Sequence, residues 1–416
     1  RWKTFPSFSI GWNIAQENFW KNLSSTVNTL KLRASWGQLG NQNTDSWYPF
    51  YSLMGYNTNA GTWLVNNAKP NLSSEPSLVS SSLTWEKNRT WEIGLDWGAL
   101  KNRLTGSFGY YQRKTFDMVG PAPELPEILG TDVPKVNNLD MTSKGWDLQI
   151  RWQDYINDLY YAVSLVLSDN KIVIDKYPNS AKDLGQTYYK GAHLGDIWGY
   201  TTEGIAKTEE EMNNHLSKAD QTSLGSNWTA GDIMYADLNG DGKVNKGDNT
   251  AEKPGDLRII GNSTPRYNFG LNLESAWKGF DLKVFFQGTL KRDYWASGAV
   301  FWGACGIQKW QALGFTEHLD YFRADSNDPL GQNLDSYYPR VSWNSSRDTY
   351  KQTKYLQNAA YCRLKNITLG YTLPKDITSK MFIQSLRLFV SAENLLTITD
   401  FTKLSDPELI DAESWG

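Results

Sequence analysis

Residues 271–287 read Leu271-Asn-Leu273-Glu-Ser275-Ala-Trp277-Lys-Gly279-Phe280-Asp-Leu282-Lys-Val284-Phe-Phe286-Gln287. Apolar and polar residues alternate as far as Trp277. The chain then meets Lys278-Gly279, a turn pair, and the alternation resumes at Phe280. Successive side chains of a strand point to opposite faces. Leu271, Leu273, Trp277, Phe280, Leu282, Val284 and Phe286 therefore share one face, and Asn272, Glu274, Asp281, Lys283 and Gln287 share the other. The stretch is a hairpin with one oily side and one polar side.

The same pattern recurs in Leu30-Lys-Leu32-Arg-Ala34-Ser-Trp36, in Leu386-Arg-Leu388-Phe-Val390-Ser-Ala392-Glu393 and, richer in aromatics, from Leu104 to Tyr110. It predicts about ten strands, at 4–13, 27–38, 82–97, 102–118, 137–154, 158–173, 264–277, 279–291, 356–372 and 384–397. The connections alternate in length. Those at 98–101, 155–157 and 278 are tight, and 14–26 and 373–383 are modest. Those at 39–81, 119–136, 174–263 and 292–355 are long. Membrane barrels sort their connections this way, with short turns at one end and long extracellular loops at the other. The expected fold is all-β, a transmembrane antiparallel β-barrel with long extracellular loops. In it Lys31, Arg33, Asn272, Glu274, Asp281, Lys283, Arg387 and Glu393 face the lumen. On this reading Leu282→Arg, on the lipid face, costs about 2–4 kcal/mol near the midplane, and Lys283→Ala much less.

Composition agrees. The 416 residues carry 42 Lys plus Arg against 45 Asp plus Glu, a net charge of −3, which argues against a nucleic-acid partner. Mean hydropathy is −0.54, and the longest apolar runs, 160–167 and 386–392, are strand-length. A helical membrane protein is excluded; a barrel is not, because alternation keeps mean hydropathy low. Aromatics make up 14% of the chain, the usage of a β-rich protein. Arg1–Gly11 lacks the order of a signal peptide, and both ends, the last at Trp415-Gly416, read as parts of a larger protein. Cys305 and Cys362 are too far apart in sequence for a CxxC motif; they are either two thiols or, in an oxidising compartment, a disulfide.

The 174–263 loop holds the one chemistry-bearing motif. Asp237-Leu-Asn239-Gly-Asp241-Gly242-Lys243-Val-Asn245-Lys-Gly-Asp248 has the spacing of a calcium loop. Asp237, Asn239 and Asp241 offer side-chain oxygens at positions 1, 3 and 5. Gly242 allows the sharp turn, Lys243 offers its carbonyl, and Asn245 acts directly or through water. Asp248 stands at position 12, where a longer Glu is usual, which weakens bidentate capture. The expected ion is a structural Ca²⁺. Upstream, Thr208-Glu-Glu-Glu211 is a capping box that opens one short helix.

No hydrolase, zinc, P-loop or dinucleotide motif is present, and His193, His215 and His318 share no ligand spacing. The chain reads as a non-enzyme, although a glycosidase carboxylate pair leaves no mark in sequence. The long loops are aromatic. Trp63, Tyr188, Tyr189, Trp198, Trp295, Trp302, Tyr337 and Tyr338 are candidates for stacking on a substrate, and loops this long also need a core of their own. A soluble or surface carbohydrate-binding β-protein with a structural calcium is the alternative reading.

Several stretches together resemble one family. They are Thr4-Phe-Pro-Ser-Phe-Ser-Ile-Gly-Trp12, Leu30-Lys-Leu-Arg-Ala-Ser-Trp-Gly-Gln-Leu-Gly-Asn-Gln42, Leu83-Thr-Trp-Glu-Lys-Asn88, Glu92-Ile-Gly-Leu-Asp96 and Asn102-Arg-Leu-Thr-Gly106. Further on come Gly231-Asp-Ile-Met-Tyr235, Ile259-Ile-Gly-Asn-Ser-Thr-Pro-Arg-Tyr267, Arg363-Leu-Lys-Asn-Ile-Thr-Leu-Gly-Tyr-Thr-Leu-Pro374, Val390-Ser-Ala-Glu-Asn-Leu-Leu396 and Asp406-Pro-Glu408. The chain resembles the C-terminal half of the barrel of SusC/RagA-type TonB-dependent transporters of Bacteroidota. The resemblance implies a 22-stranded outer-membrane barrel with a plug. It implies a SusD-like surface lipoprotein as a lid, and import of glycans or oligopeptides driven through TonB. It also implies that the plug, the TonB box, the first half of the barrel and the last strand lie outside this chain.

Overall fold

The computed structural model describes residues 3–42, 51–76, 78–80, 83–120 and 136–410. Position 82, most of the 119–136 connection and the Trp415-Gly416 end lie outside these. Ten long strands make one sheet: β1 Ser7–Asn13, β2 Val27–Asn41, β3 Glu86–Ala99, β4 Leu104–Gly120, β5 Val136–Ile156, β6 Leu159–Lys176, β7 Arg266–Trp277, β8 Phe280–Lys291, β9 Tyr361–Thr372 and β10 Arg387–Thr399. They lie side by side in chain order, every neighbouring pair antiparallel. All ten expected strands are present. The one at 356–372 is split, with a separate short strand at Leu356–Asn358 before β9. Among the described residues no helix is long and apolar enough to cross a membrane.

Local chemistry sets the register. Trp277 pairs with Phe280, leaving Lys278-Gly279 as a two-residue loop. Their φ angles are +45° and +92°, the double left-handed geometry that matches strand twist, with Gly supplying the second position freely. Ile156 pairs with Leu159 around a second two-residue loop, Asn157-Asp158, in which Asn157 alone takes a positive φ, +53°. A one-residue slip would turn every oily side chain to the polar face.

The two faces differ as the alternation requires. On the polar face Arg33 pairs with Glu92 and lies 3.4 Å from Asp96. Arg151 meets Glu274 at 3.1 Å, and the Arg387 fork grips Asp281 at 2.8 and 2.6 Å. These pairs join neighbouring or alternate strands, so four of the residues expected in a lumen, Arg33, Glu274, Asp281 and Arg387, are held in ion pairs. The opposite face carries Phe8, Ile10, Leu32, Ile93, Phe108, Val163, Leu282 and Leu369, all exposed. A continuous exposed apolar face of this extent needs a nonaqueous neighbour.

Candidate functional site

The main buried core does not lie in the sheet. It lies at the long-connection end, where the loops after β6 and β8 fold into one body. Tyr200, Ala219, Leu224, Ile233, Tyr235 and Val244 come from the first loop, and Ala296, Phe301, Trp302, Cys305, Tyr338 and Tyr355 from the second. Short strand pairs frame it: 196–199 with 258–262, 202–205 with 233–235, and 293–295 with 356–358.

Polar bonds stitch the two loops together inside this core. The Tyr235 hydroxyl donates to the Arg347 carbonyl at 2.7 Å. Ile233 N–H donates to Asp348 Oδ1 at 2.9 Å, and Thr202 Oγ1 donates to Gln352 Oε1 at 2.7 Å. Asp232, fully buried, receives Arg340 through two bonds of 2.5 and 3.2 Å. Arg347 Nε lies 3.5 Å from Asp232 and 3.4 Å from Asp348. Loss of water and the nearby Asp232 charge push the Asp348 carboxyl up to about 7, against the pull of Ile233 N–H and the two arginines. Two carboxylates over one hundred residues apart thus share two guanidinium groups, a cluster the sequence does not announce.

The aromatic candidates divide by burial. Trp302 and Tyr338 are each 3% exposed; Trp302 packs on Trp295 and Tyr355, and Tyr338 on Phe301 and Tyr355. Tyr188 and Tyr189 pack on a second cluster of Leu139, Ile174, Tyr177 and Ala192. Trp198 sits half-buried opposite Ile259. Only Trp63, 57% exposed, and Tyr337, 37% exposed, offer much ring surface. Tyr337 stands edge-on to Tyr338 with 4.8 Å between centroids. The six others are needed where they are, as the core of the loops.

The 237–248 loop is tightly wound by its own oxygens. Asp237 accepts from Gly240 N–H and Gly242 N–H, both at 2.8 Å. Asn239 accepts from Asp241 N–H and Asp241 from Lys243 N–H, and Asn245 accepts from Gly247 N–H. Desolvation pushes Asp237 up, but the N–H groups of Gly242 and Gly240 outweigh it and hold the carboxyl below its ordinary range. Asp248 is mostly exposed and lies 3.3 Å from Lys253 Nζ. Sequence reasoning missed Asp256, which is fully buried and accepts from Leu238 N–H and Asn245 N–H at 2.8 Å each. It clamps both limbs of the loop. Its position eight residues past the motif gave no spacing signal. Among the described residues no three His, Cys, Asp or Glu side chains gather as a metal site.

The short helix α1, Glu209–Leu216, starts where expected, with Thr208 accepting from Glu211 N–H at 3.1 Å. The return bond differs: Glu211 accepts from Lys207 N–H, one residue before the cap. Cys305 is a buried thiol and Cys362 a half-buried one on β9, so the two do not pair.

No family model matches the chain. It is 29% identical to TonB-dependent receptor P3 of Formosa agariphila, across 97% of this chain and 38% of that receptor. It is 25% identical to TonB-dependent receptor SusC of Bacteroides thetaiotaomicron, across 100% of this chain and 39% of SusC. Its fold matches the RagAB peptide transporter with a TM-score of 0.73 at 22% identity, covering 97% of this chain and 41% of that one. The chain thus spans about two fifths of the relatives it matches. Its sheet is a segment of their antiparallel transmembrane barrel. Along its whole length in sequence, and in the fold of its ten strands, the chain is similar to the SusC/RagA-type TonB-dependent receptors.

Proposed function

We propose that the chain forms part of the wall and the extracellular mouth of an outer-membrane importer. The observation that carries this reading is the sheet itself: one oily face, one charged face knitted by ion pairs, and long loops fused at one end only. The oily face meets lipid and the charged face lines a polar lumen around a plug. The fused loops give a SusD-like lipoprotein a firm surface to close upon, and energy enters through TonB at parts of the receptor beyond these residues. The cargo is a glycan or an oligopeptide; Trp63 and Tyr337 are the ring faces available to it. The role is transport, without turnover. A soluble carbohydrate binder would leave the oily face in water.

The test uses the whole receptor in native outer membranes. Extraction is expected to require detergent, to give a band whose gel mobility changes on boiling, and to bring a surface lipoprotein along in equal amount. Release of a lone protein by a salt wash would overturn the proposal.

The same reading assigns a structural Ca²⁺ to the 237–248 loop. Asp237, Asn239 and Asp241 supply hard oxygens on a turn whose glycines, Gly240 and Gly242, take φ of +76° and +79°. Asp237 stays ionised, which suits a cation. Asp248 would have to leave Lys253 to join, so a Kd on the order of 10⁻⁴–10⁻³ M is expected, the range of extracellular modules. Calcium is expected to slow proteolysis between 237 and 256, and Asp237→Ala to abolish that protection. Equal cleavage with calcium and with chelator would remove the metal from the account.

A further inference from the structure

On the oily face, just beyond the last aromatic ring of β4 and β5, lies a cleft of about 740 Å³. Strand parity fixes its side. Phe108 pairs with Leu148, Tyr110 with Trp146, Gln112 with Lys144 and Lys114 with Thr142, so these residues share a face with the apolar residues below them. Across the next seam, Leu148 pairs with Leu167, Trp146 with Asp169 and Lys144 with Lys171. All of them lie toward the long loops. Rings continue sideways as a belt: Phe8 beside Trp36, Trp36 opposite Trp91, and Trp91 against Tyr110 at 5.6 Å. Such a belt marks the level of lipid headgroups on a barrel.

One step above that belt, about 7 Å along the strands, the face turns cationic. Lys144 and Lys171 are directly opposite each other, and Lys114 stands diagonal to Lys144. Like charges directly opposite across a seam destabilise a sheet. The nearby carboxylates relieve them only in part, because Asp169 and Asp175 line the cleft against three lysines and Arg266. Asp169 is taken by the Arg266 fork, and Asp175 accepts from the Thr142 hydroxyl. Among the described residues no acidic group pairs with Lys114, Lys144 or Lys171. His193 borders the cleft as a further nitrogen donor. Three lysines with no acidic partner among the described residues thus line one cleft at headgroup level on the outward wall.

We propose that this cleft binds the phosphate of an outer-leaflet lipid headgroup, with the acyl chains lying down the oily face past Trp146 and Tyr110. Phosphate oxygens would neutralise the Lys144–Lys171 repulsion through charge-assisted hydrogen bonds. The rings beneath would pack the first methylenes. The proposal rests on the barrel reading above, because only there does this face meet a bilayer.

The test uses the whole detergent-purified receptor with three probes: monophosphoryl lipid A micelles, phosphatidylcholine micelles and inorganic phosphate. The readout is the temperature at which the folded, heat-modifiable band is lost. Lipid A is expected to raise it for the wild type and not for the K114Q/K144Q/K171Q triple variant. Phosphatidylcholine and inorganic phosphate are expected to leave it unchanged. Phosphorus co-purifying with the triple variant should fall by about tenfold. A K101Q control, in the tight turn at the far end of β3 and β4, should behave as wild type. The triple variant relieves a repulsion, so it should fold; its heat-modifiable band checks that separately. Equal lipid A protection of wild type and triple variant would overturn the site. Full protection by inorganic phosphate alone would overturn the lipid assignment. A wild type with no heat-modifiable band would instead sink the barrel reading itself.

Discussion

Val284→Arg is expected to destabilise the folded barrel by about 2–4 kcal/mol, the cost of a cation at the middle of the lipid-facing wall. The structure moves this site from the position the sequence suggests. Leu282 lies only two residues above Phe280, which packs on Tyr371 with 4.5 Å between centroids beside the tight Lys278-Gly279 turn. Leu282→Arg can reach the interface and should cost about 0–1 kcal/mol, as substitutions there do. Val284 is two residues deeper, flanked by Leu273 and Ile367. Lys283→Ala, on the opposite face, should be nearly neutral. Denaturant unfolding of the whole receptor in lipid vesicles measures all three. Equal tolerance of Val284→Arg and Lys283→Ala would reverse the assignment of the faces.

The second large effect concerns the buried charge cluster between the loops. Asp348 holds its proton up to about 7 because desolvation and the Asp232 charge oppose ionisation. A carboxyl raised on folding stabilises fully below its unfolded value, about 4, and that stability is lost as pH climbs through the folded value. The paired loops should therefore loosen between about pH 4 and pH 7, by about 2–4 kcal/mol across the shift. Hydrogen exchange at 233–235 and 347–352 reads this directly. Asp348→Asn keeps the acceptor for Ile233 N–H and should flatten the pH dependence. Asp232→Ala strips the shared partner from Arg340 and Arg347, and should cost about 3–5 kcal/mol at any of these pH values. A pH profile unchanged by Asp348→Asn would place the titration elsewhere.

The ten strands were legible because each announces itself within a dozen residues. Alternation names the face, and pairs such as Lys278-Gly279 fix the turn. The loop core was not legible, since Tyr235 and Arg347 meet only in the folded chain and no local period links them. For the same reason Trp302 and Tyr338 looked like surface rings and proved to be core. Lys144 and Lys171 were within reach: both fall on the parity of Leu148 and Leu167, where an outward lysine breaks the oily pattern. Asp256 carried no such sign, because it clamps a loop from outside the motif.

The shared core of the two long loops also constrains how such a receptor can change over time. Half of its buried residues come from 200–244 and half from 296–355. A replacement at Tyr235 unsettles Arg347 and Gln352 in the other loop. Neither loop can be exchanged for a foreign one while its partner stays. On the proposed importer role, new cargo preferences would arise at exposed rings such as Trp63 and Tyr337, or by inheriting both loops together as one module.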